Sequence, residues 1–200
     1  DGFFVGNSVG DQGLATINLV YPLVALIQAA GTGIGMAGAI HFAIAEGGNR
    51  MNERNRYFWI TCGLLVLVSV VLTLVYLPLG GTLLRLLGAQ GALESYGREY
   101  ITVITMGILF QVLGVGLVPV IRNMGKSIQA MAAMIAGFLT NILLDYVFVW
   151  VLPYGLAGAA AATVLGQAVT MIWCLAVLYP LRKMLKAQWD KGWEYQTTRI

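Results

Sequence analysis

Asp145 and Asp1 are carboxylates inside apolar runs, 130–152 and 1–9. The other seven acids fall in polar breaks, at the edges of apolar runs or in the tail: Asp11, Glu46, Glu53, Glu94, Glu99, Asp190 and Glu194. If those runs are membrane helices, each buried carboxylate costs at least about 2.5–3.5 kcal/mol to insert, which makes it a functional candidate. Asp145 stands eight residues before Pro153 and Asp1 nine before Gly10, so both lie about 12–13 Å inside the same end of their helices. Asn141 precedes Asp145 by four and shares its face. Thr163 is seven residues into the next run, about 10 Å from that end. Asp1, Asn141, Asp145 and Thr163 are therefore expected in one inward-facing layer. Two neighbouring carboxylates in a low-dielectric site cannot both stay charged without a cation, so the layer holds a proton or a small cation such as Na⁺. Asn141 and Thr163 would add the neutral oxygens that hard cations prefer.

Other polar residues within apolar runs are Asn18, Gln28, Gln111 and Gln167. They are candidates to line a cavity, and equally candidates to hydrogen-bond between helices. The single histidine, His41, lies near one helix end, and no Cys-x-x-Cys or His-x-x-x-His spacing occurs. Cys62 and Cys174 both fall in apolar runs and are expected as buried thiols. No Ser–His or His–Glu spacing offers a nucleophile with its base. An enzyme is not expected, although Asp1 and Asp145 could imitate an aspartyl protease dyad.

The elements that must carry this layer follow from composition. Of 200 residues 58% are hydrophobic and 10% charged, and mean hydropathy is +0.78. Soluble domains carry about 25% charged residues, so a water-soluble globule, a disordered chain and a disulfide scaffold are all excluded. The expected fold is all-α, a polytopic transmembrane helical bundle. Helices are expected at about 1–9, 14–45, 57–77, 98–121, 130–152 and 156–181, with 82–97 as an interfacial connection and 182–200 as a basic tail. Each full helix has 20 or more residues, enough for a hydrocarbon core roughly 30 Å thick. The chain opens in the middle of an apolar segment, so the first helix is expected to be truncated.

Ten of the twelve Lys and Arg residues sit in the breaks 46–56 and 122–129 and in the tail 182–200. If every helix spans once, these segments share a side, which the positive-inside rule makes cytoplasmic. The pI of about 9.0 then needs no nucleic-acid partner.

The opening Asp1-Gly-Phe-Phe-Val-Gly-Asn-Ser-Val-Gly-Asp-Gln-Gly-Leu-Ala resembles the first-helix signature of the multidrug and toxic compound extrusion (MATE) family. Arg122-Asn-Met-Gly, Asn141-Ile-Leu-Leu-Asp145 and Gly158-Ala-Ala-Ala-Ala-Thr163 match further signatures in order and spacing. The resemblance implies the amino-terminal six-helix lobe of a twelve-helix, two-lobe transporter in a bacterial plasma membrane. It implies export of cationic or amphipathic compounds in exchange for H⁺ or Na⁺, with no other cofactor. The partners implied are such small molecules, the bilayer and a carboxy-terminal lobe of the same chain, with 182–200 as the start of the linker to it. It assigns the proton or cation site to Asp1, Asn141, Asp145 and Thr163. A lipid-linked glycan flippase of the same superfold is the alternative, but it would need a more cationic cavity than these apolar runs supply.

Overall fold

In the computed structural model the described residues, 2–181, form helices joined by short turns, with no strand among them. Asp1 and the tail 182–200 lie outside the described residues. The elements are α1 (Gly2–Ser8), α2 (Asp11–Gly47), α3 (Met51–Leu86), α4 (Ala92–Met106), α5 (Ile108–Asn123), α6 (Ser127–Asp145) and α7 (Gly155–Leu178). A π-helical turn, Tyr146–Val151, prolongs α6, and a 3-10 turn, Tyr179–Leu181, ends α7. Helices α2, α3, α6 with its π turn, and α7 with its 3-10 turn are each long and apolar enough to cross a membrane. Helices α4 and α5 meet the same test only as a pair, bent by 59° at the break between them.

Three expectations are corrected. The break 46–56 shrinks to Gly48–Arg50, because its polar residues form the first turns of α3. Arg54 there is only 5% exposed. It pairs with Glu46 of α2 at 3.2 Å, donates to Asn55 Oδ1 from two nitrogens at 3.2 and 3.1 Å, and lies over the Phe42 ring. Secondly, Pro78 and Gly80-Gly81 do not close α3, which runs on to Leu86, and α4 begins at Ala92 inside the supposed connection. Pro22 and Pro119 likewise sit inside α2 and α5; neighbouring helices let membrane helices tolerate such residues. The hydroxyl of Tyr76, two residues before Pro78, donates to the Leu23 carbonyl at 2.9 Å and ties α3 to α2.

Thirdly, the stretch expected as one helix over 98–121 breaks at Gly107, whose N–H donates to the Ile104 carbonyl in a tightened turn. A Cβ at Gly107 would run into the Val164 side chain, so only glycine lets the bend press against α7. Of the thiols, Cys174 is buried and Cys62 half-buried.

Helix α5 packs against α2, α3 and α7, and α6 packs mainly against α7. The core they share includes Ile27, Leu65, Ile104, Ile108, Leu117 and Leu156. Outward faces expose Leu67, Leu74, Phe138, Leu143 and Ile172. Apolar exposure on this scale is the mark of a surface meant for hydrocarbon. The molecule is a multi-pass membrane protein.

Candidate ion site and groove

The α6–α7 contact builds the polar layer. At its centre Gly137 and Gly166 face each other: a Cβ on Gly166 would sit 2.7 Å from the Gly137 carbonyl oxygen and 3.0 Å from the Asn141 Cβ. This close approach carries Asn141 to α7, where its Nδ2 points to Thr163 Oγ1 at 3.5 Å, the outer limit of a hydrogen bond. Thr163 Oγ1 donates in turn to the Ala159 carbonyl at 3.1 Å. One turn along α6 from Asn141, Asp145 is fully enclosed, with 0% of its surface exposed.

Asp145 is also the last α-helical residue of α6, and the backbone widens into the π turn directly after it. The Leu152 N–H donates five residues back, to the Val147 carbonyl, at 2.9 Å. Such insertions recur at functional sites because they re-aim neighbouring side chains. The Trp150 ring in this turn meets Phe4 of α1 edge-on at 6.3 Å. The neighbouring Val5 is buried, so α1 is anchored beside the site although Asp1 itself is not described.

Sequence reasoning missed Tyr100. This α4 residue is buried, and α4 packs against α7, the helix that carries Thr163. The signal was present: Gly97, Tyr100, Ile101 and Ile104 form the buried stripe of α4 at helical spacing. A tyrosine on such a stripe needs a partner for its hydroxyl.

Beside this cluster opens a groove of about 660 Å³ between α2, α5, α6 and α7. Asn141 and Thr163 line it, with Gln28, Gln167, Met36, Met134 and Phe138, and with Arg122 from the end of α5. Of the four candidate cavity residues, Gln28 and Gln167 are therefore on its wall. Asn18 is exposed elsewhere on α2, and Gln111 is fully buried behind the wall. Asp145 is not on the wall either. Among the described residues no group of three or more His, Cys, Asp or Glu side chains is placed to hold a metal ion. An oxygen-lined site for Na⁺ would draw instead on Asp145, Asn141 and Thr163.

The described residues form a helical membrane bundle with a carboxylate enclosed behind a largely apolar groove that carries three amides. Comparison with known families makes this specific: residues 1–147 match the MatE family model, and the chain belongs to the MatE family. It is 25% identical over 183 residues to the multidrug export protein MepA of Staphylococcus saprophyticus, covering 90% of this chain and 40% of that protein. The MepA of Staphylococcus haemolyticus matches at 22% identity over 167 residues. Among solved structures, the crystal structure of MATE in the bent conformation superposes with a TM-score of 0.86 at 29% identity, covering 90% of this chain and 40% of that one. The inward-facing conformation of a multidrug resistance MATE family transporter of the MOP superfamily gives 0.85, also at 29% identity. The chain thus spans about 40% of the length of the curated relative it matches over most of its own length.

Proposed function

We propose that this chain forms the amino-terminal lobe of an ion-coupled exporter of cationic or amphipathic small molecules, an antiporter rather than an enzyme. The observation that carries this is the enclosed Asp145 directly behind the groove wall formed by Asn141 and Thr163. A proton or Na⁺ on Asp145, with Asn141, Thr163 and Asp1 completing the site, changes the charge of a layer at the seam of α6 and α7. That change alters how the two helices and the π turn pack, and so reshapes the groove beside them. Six membrane segments make up the lobe, α1, α2, α3, the bent α4–α5 pair, α6 and α7, and a second lobe closes the groove's open side. The basic segments 46–56, 122–129 and 182–200 face the cytoplasm of a bacterial cell. The family match and the names of the MepA relatives support this reading.

The test is proton release on binding of a fluorescent lipophilic cation, with and without Na⁺, in the intact protein in detergent, comparing wild type with Asp145→Asn. Release that disappears in the variant makes the coupling ion a proton held at this cluster. No release, but a Na⁺-dependent affinity that Asp145→Asn abolishes, makes it Na⁺. A variant that behaves as wild type in both respects refutes the role given to Asp145.

A further inference from the structure

Gln111 is the fourth residue of α5, fully buried, and neither its Oε1 nor its Nε2 has a hydrogen-bond partner among the described residues. Exchanging the two ends of the amide leaves both atoms in the same condition, so the observation does not depend on which way the amide is turned. Two flanking contacts fix the neighbourhood. On one side, Gly107 at the helix break abuts Val164, the neighbour of Thr163. On the other, a Cβ at Gly114 would lie 2.9 Å from both the carbonyl oxygen and the Oε1 of Gln167. Gln111 and Gly114 share a face of α5 by their i, i+3 spacing. Gln111 therefore lies in the α5–α7 seam, between the groove-lining Gln167 and Val164, the neighbour of Thr163.

We propose that Gln111 holds a buried water molecule in the α5–α7 seam, and that this water joins the groove wall at Gln167 to Thr163. The chemistry selects the ligand. A bare cation satisfies only Oε1, and an anion only Nε2. Water accepts from the N–H and donates to the oxygen at once, and still has capacity for a third group. A buried amide left with neither partner is unfavourable, whereas a bridging water serves nearly as well as a direct hydrogen bond. The water gives the enclosed cluster a hydrated contact with the groove from the side opposite α6. This second function rests on the reading that Asp145 carries the coupling ion; the water itself does not.

The experiment is a structure of the intact protein at a resolution that shows ordered water, for wild type and for Gln111→Met, which is close in volume and carries no amide. Wild type should show a solvent peak roughly 3 Å from both side-chain atoms of Gln111, and the variant should lose it. A Gln111 amide bonded only to protein groups, or facing no solvent density, overturns the inference. Ion-coupled efflux of a lipophilic cation should slow about 3- to 10-fold in Gln111→Met, with affinity for that cation unchanged. An ordered water with an unchanged efflux rate overturns the link to the cluster. An Asp145→Asn variant with normal coupling refutes the functional reading above and leaves the solvent peak as the test of the water.

Discussion

Replacing Gly166 with alanine puts the α6–α7 seam to a quantitative test. The new Cβ would stand 2.7 Å from the Gly137 carbonyl oxygen, 3.0 Å from the Asn141 Cβ and 3.4 Å from the Asn141 nitrogen. Two of these are backbone atoms, so no side-chain rotation relieves the contact. Restoring ordinary separation requires the helices to part by about 0.5–0.7 Å. Overpacking of this kind costs about 1–3 kcal/mol, and each kcal/mol lowers Tm by roughly 2–4 °C in a domain of this size. The same movement stretches the Asn141–Thr163 contact beyond its present 3.5 Å and out of hydrogen-bonding range. Gly166→Ala should therefore melt several degrees below wild type in detergent and bind the coupling ion more weakly. Gly33→Ala is the control: its Cβ meets nothing within 4 Å, and alanine there should be neutral or stabilising by roughly 0.5–1 kcal/mol. A Gly166→Ala protein as stable as the control would show that the two helices are not held together as described.

Two further outcomes follow from the same geometry. Tyr100→Phe removes the buried α4 hydroxyl, whose hydrogen bond would be worth about 0.5–1.5 kcal/mol; efflux should need a severalfold higher concentration of the coupling ion, read from its ion dependence, with substrate affinity unchanged. Arg54→Ala deletes a buried guanidinium that holds both Asn55 and Glu46, so denaturation should report a loss of about 2–3 kcal/mol. Arg54→Lys should fall between, because an ammonium keeps the charge but not the two-pronged hold on Asn55.

Much of this architecture is legible in the sequence because the bilayer imposes one rule on every segment. Apolar runs of 20 or more residues become helices, and a rare carboxylate at a given depth stands out. Asn141, Asp145 and Thr163 stand out as candidates that way, and the structure brings Asn141 and Thr163 together with Asp145 one turn away. The helix ends were harder. Glu46, Arg54 and Asn55 look like loop residues in isolation, and only the pairing of α2 with α3 gives them a helical, buried place. Pro22, Pro78 and Pro119 look like stops, yet neighbouring helices hold the chain helical around them. The bend at Gly107 is one glycine among 25, and nothing local marks it, because what excludes a side chain there is Val164, more than 50 residues away. Tyr100 carries no such mark, because a lone tyrosine in an apolar run is ordinary and the helix it packs against comes from a distant part of the chain.

The separation of Asp145 from the groove wall bears on how such a protein can change over generations. In the proposed exporter cargo would touch Gln28, Met36, Met134, Phe138 and Gln167, while the ion would reside one layer behind them. Substitutions on the wall can then broaden or narrow the range of compounds carried without disturbing what powers the cycle. Substitutions around Asp145 can exchange one driving ion for another without remaking the surface that cargo meets. On that proposal two traits under different selective pressures are written in different residues, and Asn141 and Thr163, on the wall and beside Asp145, join them.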